Sequence, residues 1–107
     1  QPNNKNIKEF ERIIKKSYEV SINNNSNFYF VYLPDNHYFL TGEVYQFKKD
    51  VFKILNKLKI DIIDLSIPFK ADEDPLRFWP FRCCGHYNEI GYSTASEYLY
   101  NYIFKKK

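Results

Sequence analysis

The run FYFVYLP, residues 28–34, decides the fold class of this chain. It is almost continuously aromatic or β-branched from Phe28 to Leu33 and is closed by Pro34. A second apolar run, from Asp61 to Ile67 within KIDIIDLSIPF, is closed by Pro68. Runs without polar alternation are typical of strands that are covered on both faces, as in a parallel sheet. The two runs therefore predict two parallel strands.

Helical periodicity surrounds these two strands. Residues 7–20, 43–58 and 89–104 place apolar side chains at steps of three and four, with polar or charged residues between them. Asn6 is predicted to cap the first helix and Asn88 the last. Residues 34–42 and 70–89 are predicted to be loops, the second with a short helical turn. The last helix is expected to bury Tyr92, Ala95, Leu99, Tyr102 and Ile103.

The alternation of helices and strands predicts an α/β fold with a parallel sheet and right-handed crossovers. Two strands are few, since sheets usually contain about four to six. We therefore expect a three-layer α/β/α domain, of which the 107 residues are either a single small domain or the C-terminal half. A first residue other than Met agrees with the second possibility. In such sheets ligands bind beyond the carboxyl ends of the strands, which is where both predicted loops lie.

Composition and charge exclude several classes of function. A net charge of +3, without a dense basic stripe, does not predict binding to nucleic acid. No apolar run has the length of about 18 residues that a spanning helix needs, and membrane association and cellular compartment stay open. Cys83 and Cys84 are adjacent, which suits neither a disulfide framework nor a zinc site, so no metal is expected. Cys84 lies two residues before His86, a spacing that rarely allows a thiol and an imidazole to react together.

From Phe28 to Ile103 the chain resembles the C-terminal portion of the SGNH/GDSL hydrolases. The resemblance rests on FVYLPD, on IDIIDLS and chiefly on GHYNEIGYSTASEYLYNYI, in which a histidine precedes a glycine and an apolar helix. It implies a serine esterase or O-acyltransferase that acts on O-acyl esters of carbohydrate or lipid without a cofactor. His86 would be its general base, and Gly85 and Gly91 would shape the turn that carries this histidine.

The chain departs from the family pattern at two points. No Gly-Asp-Ser nucleophile segment is present, and Cys83 stands where an aspartate usually orients the catalytic histidine. Three possibilities follow: an acidic-loop carboxylate (Asp72, Glu73 or Asp74) replaces that aspartate, a backbone carbonyl orients the ring, or catalysis has been lost. The rival function is a non-catalytic binding or assembly module with the same fold. The isolated chain is expected to lack esterase activity.

Three residues besides His86 are candidates for contact with a substrate. Trp79, flanked by Phe78 and Phe81, is expected either to form an apolar or sugar-stacking wall beside His86 or to cover the core. His37 follows the first strand, where it lines the cleft or lies at the surface, and Asn88 is first of all a helix cap. Arg77 and Arg82 are predicted either to pair with Asp72 or Asp74 or to bind a carboxylate or phosphate of a substrate. The expected partners are a small-molecule or carbohydrate ester, and the remainder of the domain or a self-associated copy.

Overall fold

The computed structural model describes residues 4–83 and 85–105 of the chain. The described part contains two short strands and five α-helices, and a turn of π-helix follows the last helix. Their bounds are α1 (Asn4–Asn23), β1 (Tyr29–Tyr32), α2 (Asn36–Thr41), α3 (Lys48–Lys57), β2 (Asp61–Asp64), α4 (Ser66–Lys70), two 3₁₀ turns (Pro75–Phe78 and Pro80–Arg82), α5 (Glu89–Tyr100) and the π-turn (Asn101–Lys105). The two strands pair in parallel, which confirms the predicted α/β class and both predicted strand positions.

The predicted three-layer arrangement is not what the described residues form. Every side chain of β1 is only half-buried, and in β2 Ile63 alone is buried. The continuous apolar composition of the strands predicts that both faces of each strand are covered, and this prediction is wrong for β1. The described part is an α-rich fold around a two-stranded parallel sheet.

Three predictions for the chain before the second strand are wrong, two of them helix starts and one a loop. α1 begins at Asn4, so Asn6 lies inside the helix and does not cap it. Residues predicted as a loop after β1 include the six-residue helix α2, which Asp35 caps by accepting a hydrogen bond at Oδ1 from the Tyr38 N–H at 3.2 Å. Helix α3 begins at Lys48, five residues later than its periodicity predicted.

The second strand ends earlier than the sequence predicted. Asp64 Oδ1 accepts hydrogen bonds from both the backbone N–H of Ser66, at 2.9 Å, and its hydroxyl, at 2.6 Å. These bonds turn the chain into α4, in which Pro68 is the third residue. The first residues of a helix need no partner for their N–H groups, so proline is tolerated there. Pro68 therefore lies in the first turn of a helix and does not terminate the strand.

The last helix agrees with its prediction at its start. Asn88 caps α5, and its Oδ1 accepts a hydrogen bond from the Gly91 N–H at 2.9 Å. Ala95 is buried as predicted and Leu99 is half-buried, whereas Tyr92 and Ile103 are exposed and their predicted burial is wrong. The helix is regular to Tyr100 and continues as the π-turn.

The chain divides into two compact units. The first contains the residues up to Phe30 together with Tyr45–Ile62, and the second contains Val31–Val44 together with the residues from Ile63 onward. In the first unit α1 contacts α3, Lys57 pairs with Glu11 at 2.5 Å, and the buried side chains are Ile54, Leu55 and Ile60.

The second unit has an aromatic core centred on Phe69. This side chain is 0% exposed, and its ring lies 4.6 Å from that of Phe78, 5.0 Å from Tyr87 and 5.8 Å from Trp79, centroid to centroid. Phe78 and Trp79 come from the loop after α4, so the segment RFWPF does cover a core, as one of its two interpretations expected. Phe81 does not take part, since it is 99% exposed.

Candidate functional site

A cleft of about 380 Å³ opens in the second unit beside the carboxyl ends of both strands. Residues 33–35, directly after β1, and Leu65, directly after β2, form one part of its lining. The other part comes from Trp79, from residues 85–87 and from one face of α5, where Tyr92, Ala95, Ser96 and Leu99 recur at steps of three, one and three. Its position agrees with the rule that ligands of parallel sheets bind at this edge.

Trp79 belongs to both the core and the cleft. It is 2% exposed, and its ring meets those of Phe69 and Tyr87 nearly at right angles, at centroid distances of 5.8 and 5.2 Å. The indole Nε1 is buried without a hydrogen-bond acceptor among the described residues. Edge-to-face packing places the positive edge of one ring against the negative face of the next, which suits an indole with no polar partner. Both interpretations of Trp79, core cover and cleft wall, therefore apply.

His86 lies at the exposed rim of this cleft, next to Gly85. Gly85 adopts φ +90°, a left-handed conformation that favours glycine, so the chain turns at this residue. Gly91, to which the resemblance gave a part in the same turn, lies within α5. Among residues 4–83 and 85–105 no side chain or carbonyl is hydrogen-bonded to the His86 ring. His86 thus lines a cleft, but no group in the described part of the chain holds its imidazole as a catalytic base is held.

The acidic-loop carboxylates do not line the cleft. Asp72 accepts a bidentate pair of hydrogen bonds from Arg77, the shorter at 2.7 Å, and Asp74 accepts two from Arg82, at 2.6 and 2.8 Å. These hydrogen bonds hold the pKa of both carboxyl groups below the ordinary value for aspartate. The predicted arginine–aspartate pairs are confirmed, and they occupy two of the three proposed substitutes for the missing triad aspartate.

The carboxylate that shares the cleft with His86 is Asp35, which sequence reasoning missed. A signal for it was present, since Asp35 directly follows Pro34 at the end of the first strand, where a parallel sheet places ligands. Its Oδ1 is engaged by the Tyr38 N–H at the start of α2. Asp35 and His86 are 51 positions apart in the chain, and only the fold brings them to one cleft.

Two predicted contact residues lie away from the lining of the cleft. His37 is exposed on α2, and its Nε2 lies 2.8 Å from Glu43 Oε1. Asn88 uses both ends of its amide inside the protein, since Oδ1 caps α5 and Nδ2 donates to the Arg77 carbonyl at 2.8 Å. The structure brings Trp79 and His86 together and leaves these two elsewhere; a role for them in substrate contact stays a prediction.

Tyr87 lines the cleft and is held in place by a hydrogen bond. Its hydroxyl donates a hydrogen bond to the Pro34 carbonyl at 2.7 Å, which ties the His86 segment to the end of β1. Burial, followed by the charges of Tyr92, Asp35 and Tyr32, raises the pKa of this phenol. Tyr87 therefore remains a neutral donor across the physiological range.

A nucleophile paired with His86 is not found in the described residues. Ser96 lines the cleft from the middle of α5, but it makes no hydrogen bond with the imidazole. Cys84, the thiol considered in the sequence, lies outside the described residues. Within the part of the chain that the structure describes, no group of three His, Cys, Asp or Glu side chains is placed to hold a metal ion.

Comparison of the chain with family models, curated proteins and solved structures finds no match. The resemblance to the SGNH/GDSL hydrolases accordingly stays a prediction. Among the described residues, no helix combines the length and the apolar character that spanning a membrane requires. What the site does must therefore be argued from its own geometry.

Proposed function

We propose that this chain is a non-catalytic binding module whose cleft takes a small molecule with an aromatic or otherwise apolar ring. The observation that carries this proposal is the aromatic-lined cleft of about 380 Å³ at the carboxyl ends of both strands. Small-molecule sites in proteins commonly measure about 300–1,000 Å³ and combine apolar walls with a few polar groups. Here Trp79 and Tyr87 supply the aromatic wall, while Asp35, His86 and Ser96 supply the polar groups.

Binding fits this geometry better than catalysis does. A general base must lie about 2.6–3.2 Å from the group whose proton it removes, and it is usually held by a third group. His86 has neither contact within the described residues. In contrast, the cleft leaves apolar surface in contact with water, and covering that surface with the ring of a ligand lowers the free energy.

The test uses Trp79 as its reporter, because it is the single tryptophan of the chain. We expect 2-phenylethanol, added in steps to the 107-residue chain, to shift the one indole N–H signal in a proton–nitrogen NMR spectrum until it saturates. A probe with about nine non-hydrogen atoms should bind with a dissociation constant on the order of 1–10 mM.

A pair of serine variants on α5 makes this test specific. Ser96→Phe fills the cleft from a residue that lines it, whereas Ser93→Phe adds the same ring at an exposed position that does not line it. We expect affinity to fall at least tenfold in the first variant and to change by less than about twofold in the second. An indole signal that does not move, or equal affinities in the two variants, would refute the proposal.

A second candidate function is the SGNH-type ester hydrolase or O-acyltransferase, of which this chain would be the C-terminal part within a three-layer fold. The observation in its favour is that His86 reaches the cleft at the edge of the sheet where such a base is needed. Asp35 lines the same cleft and would be the carboxylate that replaces the aspartate missing at Cys83. A serine from additional sequence would then attack an O-acyl ester of carbohydrate or lipid, and no cofactor is required.

An ester assay on the same chain tests whether its own residues are sufficient for ester hydrolysis. We expect no hydrolysis of 4-nitrophenyl acetate above the rate of a His86→Ala variant, because the imidazole has no hydrogen-bonded nucleophile among the described residues. The His37→Ala variant serves as the control for unspecific catalysis by an exposed imidazole. Turnover that disappears in His86→Ala but persists in His37→Ala would reverse the order of the two proposals.

A further inference from the structure

We propose that the ligand of this cleft is a small organic cation, a primary or quaternary amine that carries an aromatic or otherwise apolar ring. This inference rests on the proposed binding function and names the chemical class of the ligand. Its basis is the charge and the aromatic character of the residues around the cleft.

The fixed charge of the cleft is negative. Asp35 is the one carboxylate among the described side chains of the lining, and neither lysine nor arginine lines the cleft. Oδ1 of Asp35 caps α2, while its Oδ2 has no hydrogen-bond donor among the described residues. An ammonium group in the cleft would find an oxygen that already carries charge and lacks a partner.

The walls of the cleft are suited to the same kind of ligand. The ring of Tyr87 lies 5.2 Å from that of Trp79 at 78° and 5.6 Å from that of Tyr92 at 61°. Rings that meet at such angles present faces in different directions, and the face of an aromatic ring attracts a cation within about 6 Å. Aromatic rings that surround a cation recognise ammonium groups in other proteins, and here the ring of Tyr87 is inclined to two others in a cleft that Asp35 also lines.

The negative charge of Asp35 also affects the pKa of Tyr87, which lines the same cleft. After burial and the charge of Tyr92, the negative charge of Asp35 is among the causes that raise the pKa of the Tyr87 phenol, since it disfavours a phenolate. Burial, the largest cause, disfavours a charge of either sign, whereas the contribution of Asp35 is a negative potential at this hydroxyl, which favours a cation there.

The charge of the whole chain points in the opposite direction, which makes the inference easy to test. With a net charge of +3, the chain as a whole attracts anions and repels cations. Any preference of the cleft for a cation therefore has to come from its local lining. A carboxylate ligand, in contrast, would lie beside Asp35 without a lysine or arginine of the lining to neutralise it.

The experiment compares three probes of nearly equal size: 2-phenylethylamine, 2-phenylethanol and phenylacetate, which carry a positive charge, no charge and a negative charge. Each is titrated into the 107-residue chain at pH 8, above the range in which histidines ordinarily titrate, with the Trp79 indole signal as readout. We expect the amine to bind about tenfold more tightly than the alcohol, and phenylacetate to bind more weakly than the alcohol.

Two aspartate variants locate the source of that preference. Asparagine caps a helix as well as aspartate does, so Asp35→Asn removes the charge and keeps the cap of α2. Asp50→Asn makes the same change of charge in the first turn of α3, at a residue that is not part of the lining. We expect the tenfold advantage of the amine over the alcohol to vanish in Asp35→Asn and to persist in Asp50→Asn.

The outcomes separate this inference from the proposed function. If the alcohol binds as tightly as the amine, the inference is wrong and the binding function stands. An advantage of the amine that survives in Asp35→Asn also overturns it, because the charge invoked would not be its cause. If none of the three probes shifts the indole signal at 20 mM, both proposals fall together.

Discussion

Replacing Phe69 with alanine is expected to lower the free energy of unfolding by about 3–5 kcal/mol. Phe69 is 0% exposed and contacts the rings of Phe39, Phe78, Trp79 and Tyr87, so its removal takes away a large apolar surface and leaves a cavity. The aromatic neighbours are themselves rigid, so they cannot close over the vacant volume. The measurement is urea unfolding followed by far-ultraviolet circular dichroism.

Phe81→Ala is the matched control for this experiment. Phe81 lies in the same unit but is 99% exposed, so removing its ring should change the free energy of unfolding by less than about 0.5 kcal/mol. If Phe69→Ala is too unstable to give a folded baseline, Phe69→Leu, with an expected loss of about 1–2 kcal/mol, gives a measurable transition. Equal effects of Phe69→Ala and Phe81→Ala would show that the aromatic cluster is not the core of this unit.

The aromatic cluster also marks how far sequence patterns could predict the fold. Both strands were located correctly because aromatic and β-branched residues concentrate in them, and α5 was located correctly because Asn88 is a good cap ahead of a periodic segment. Helix α2 was missed although its cap at Asp35 and its closing Gly42 are both visible in the sequence. Six residues are too few for a helical period to be recognised, so only the caps could have revealed it.

Pro68 shows a different reason for error. After an apolar run a proline is compatible with the end of a strand and with the first turn of a helix, because in both places its missing N–H is tolerated. The choice depends on Asp64, whose carboxylate accepts hydrogen bonds from the backbone N–H and the hydroxyl of Ser66. Such a local bond competes with continuation of the strand, and an Asp two residues before a Ser is a signal that propensity alone does not weigh.

The position of the candidate site could be predicted from the sequence, but only some of its residues could. The rule for parallel sheets places it at the carboxyl ends of the strands, and Trp79 and His86 lie there. His37, for which the sequence left both the cleft and the surface open, is exposed on α2 and lies beside Glu43. Asp35 was overlooked because its proximity to the His86 segment comes from tertiary structure, including the hydrogen bond from Tyr87 to Pro34, which spans 53 positions.

Gly91→Ala is expected to destabilise the protein by about 1–3 kcal/mol, although alanine is the better helix former by about 1 kcal/mol. A Cβ atom at this position of α5 would lie 2.7 Å from the Phe78 carbonyl oxygen and 2.8 Å from Tyr87 Cβ, closer than Cβ atoms of folded proteins approach non-bonded heavy atoms. Neither neighbour can easily withdraw. Phe78 is buried and its carbonyl accepts the hydrogen bond of the Asn88 N–H at 2.8 Å, while Tyr87 is tied to Pro34.

Ser93→Ala, two residues further along α5 and exposed, tests whether the cost comes from this close approach or from the helix itself. Because alanine has the higher helix propensity, Ser93→Ala should be neutral or stabilising by up to about 0.5 kcal/mol in urea unfolding. Gly91 packs against Phe78 and Tyr87, which are the chain neighbours of Trp79 and His86. Gly91→Ala should therefore also displace the Trp79 indole signal, and Ser93→Ala should leave it in place. If Gly91→Ala proves as stable as the natural chain and its indole signal does not move, α5 does not pack closely against Phe78 and Tyr87. The aromatic wall of the cleft would then lack the support from α5 that both the binding function and the preference for a cation require.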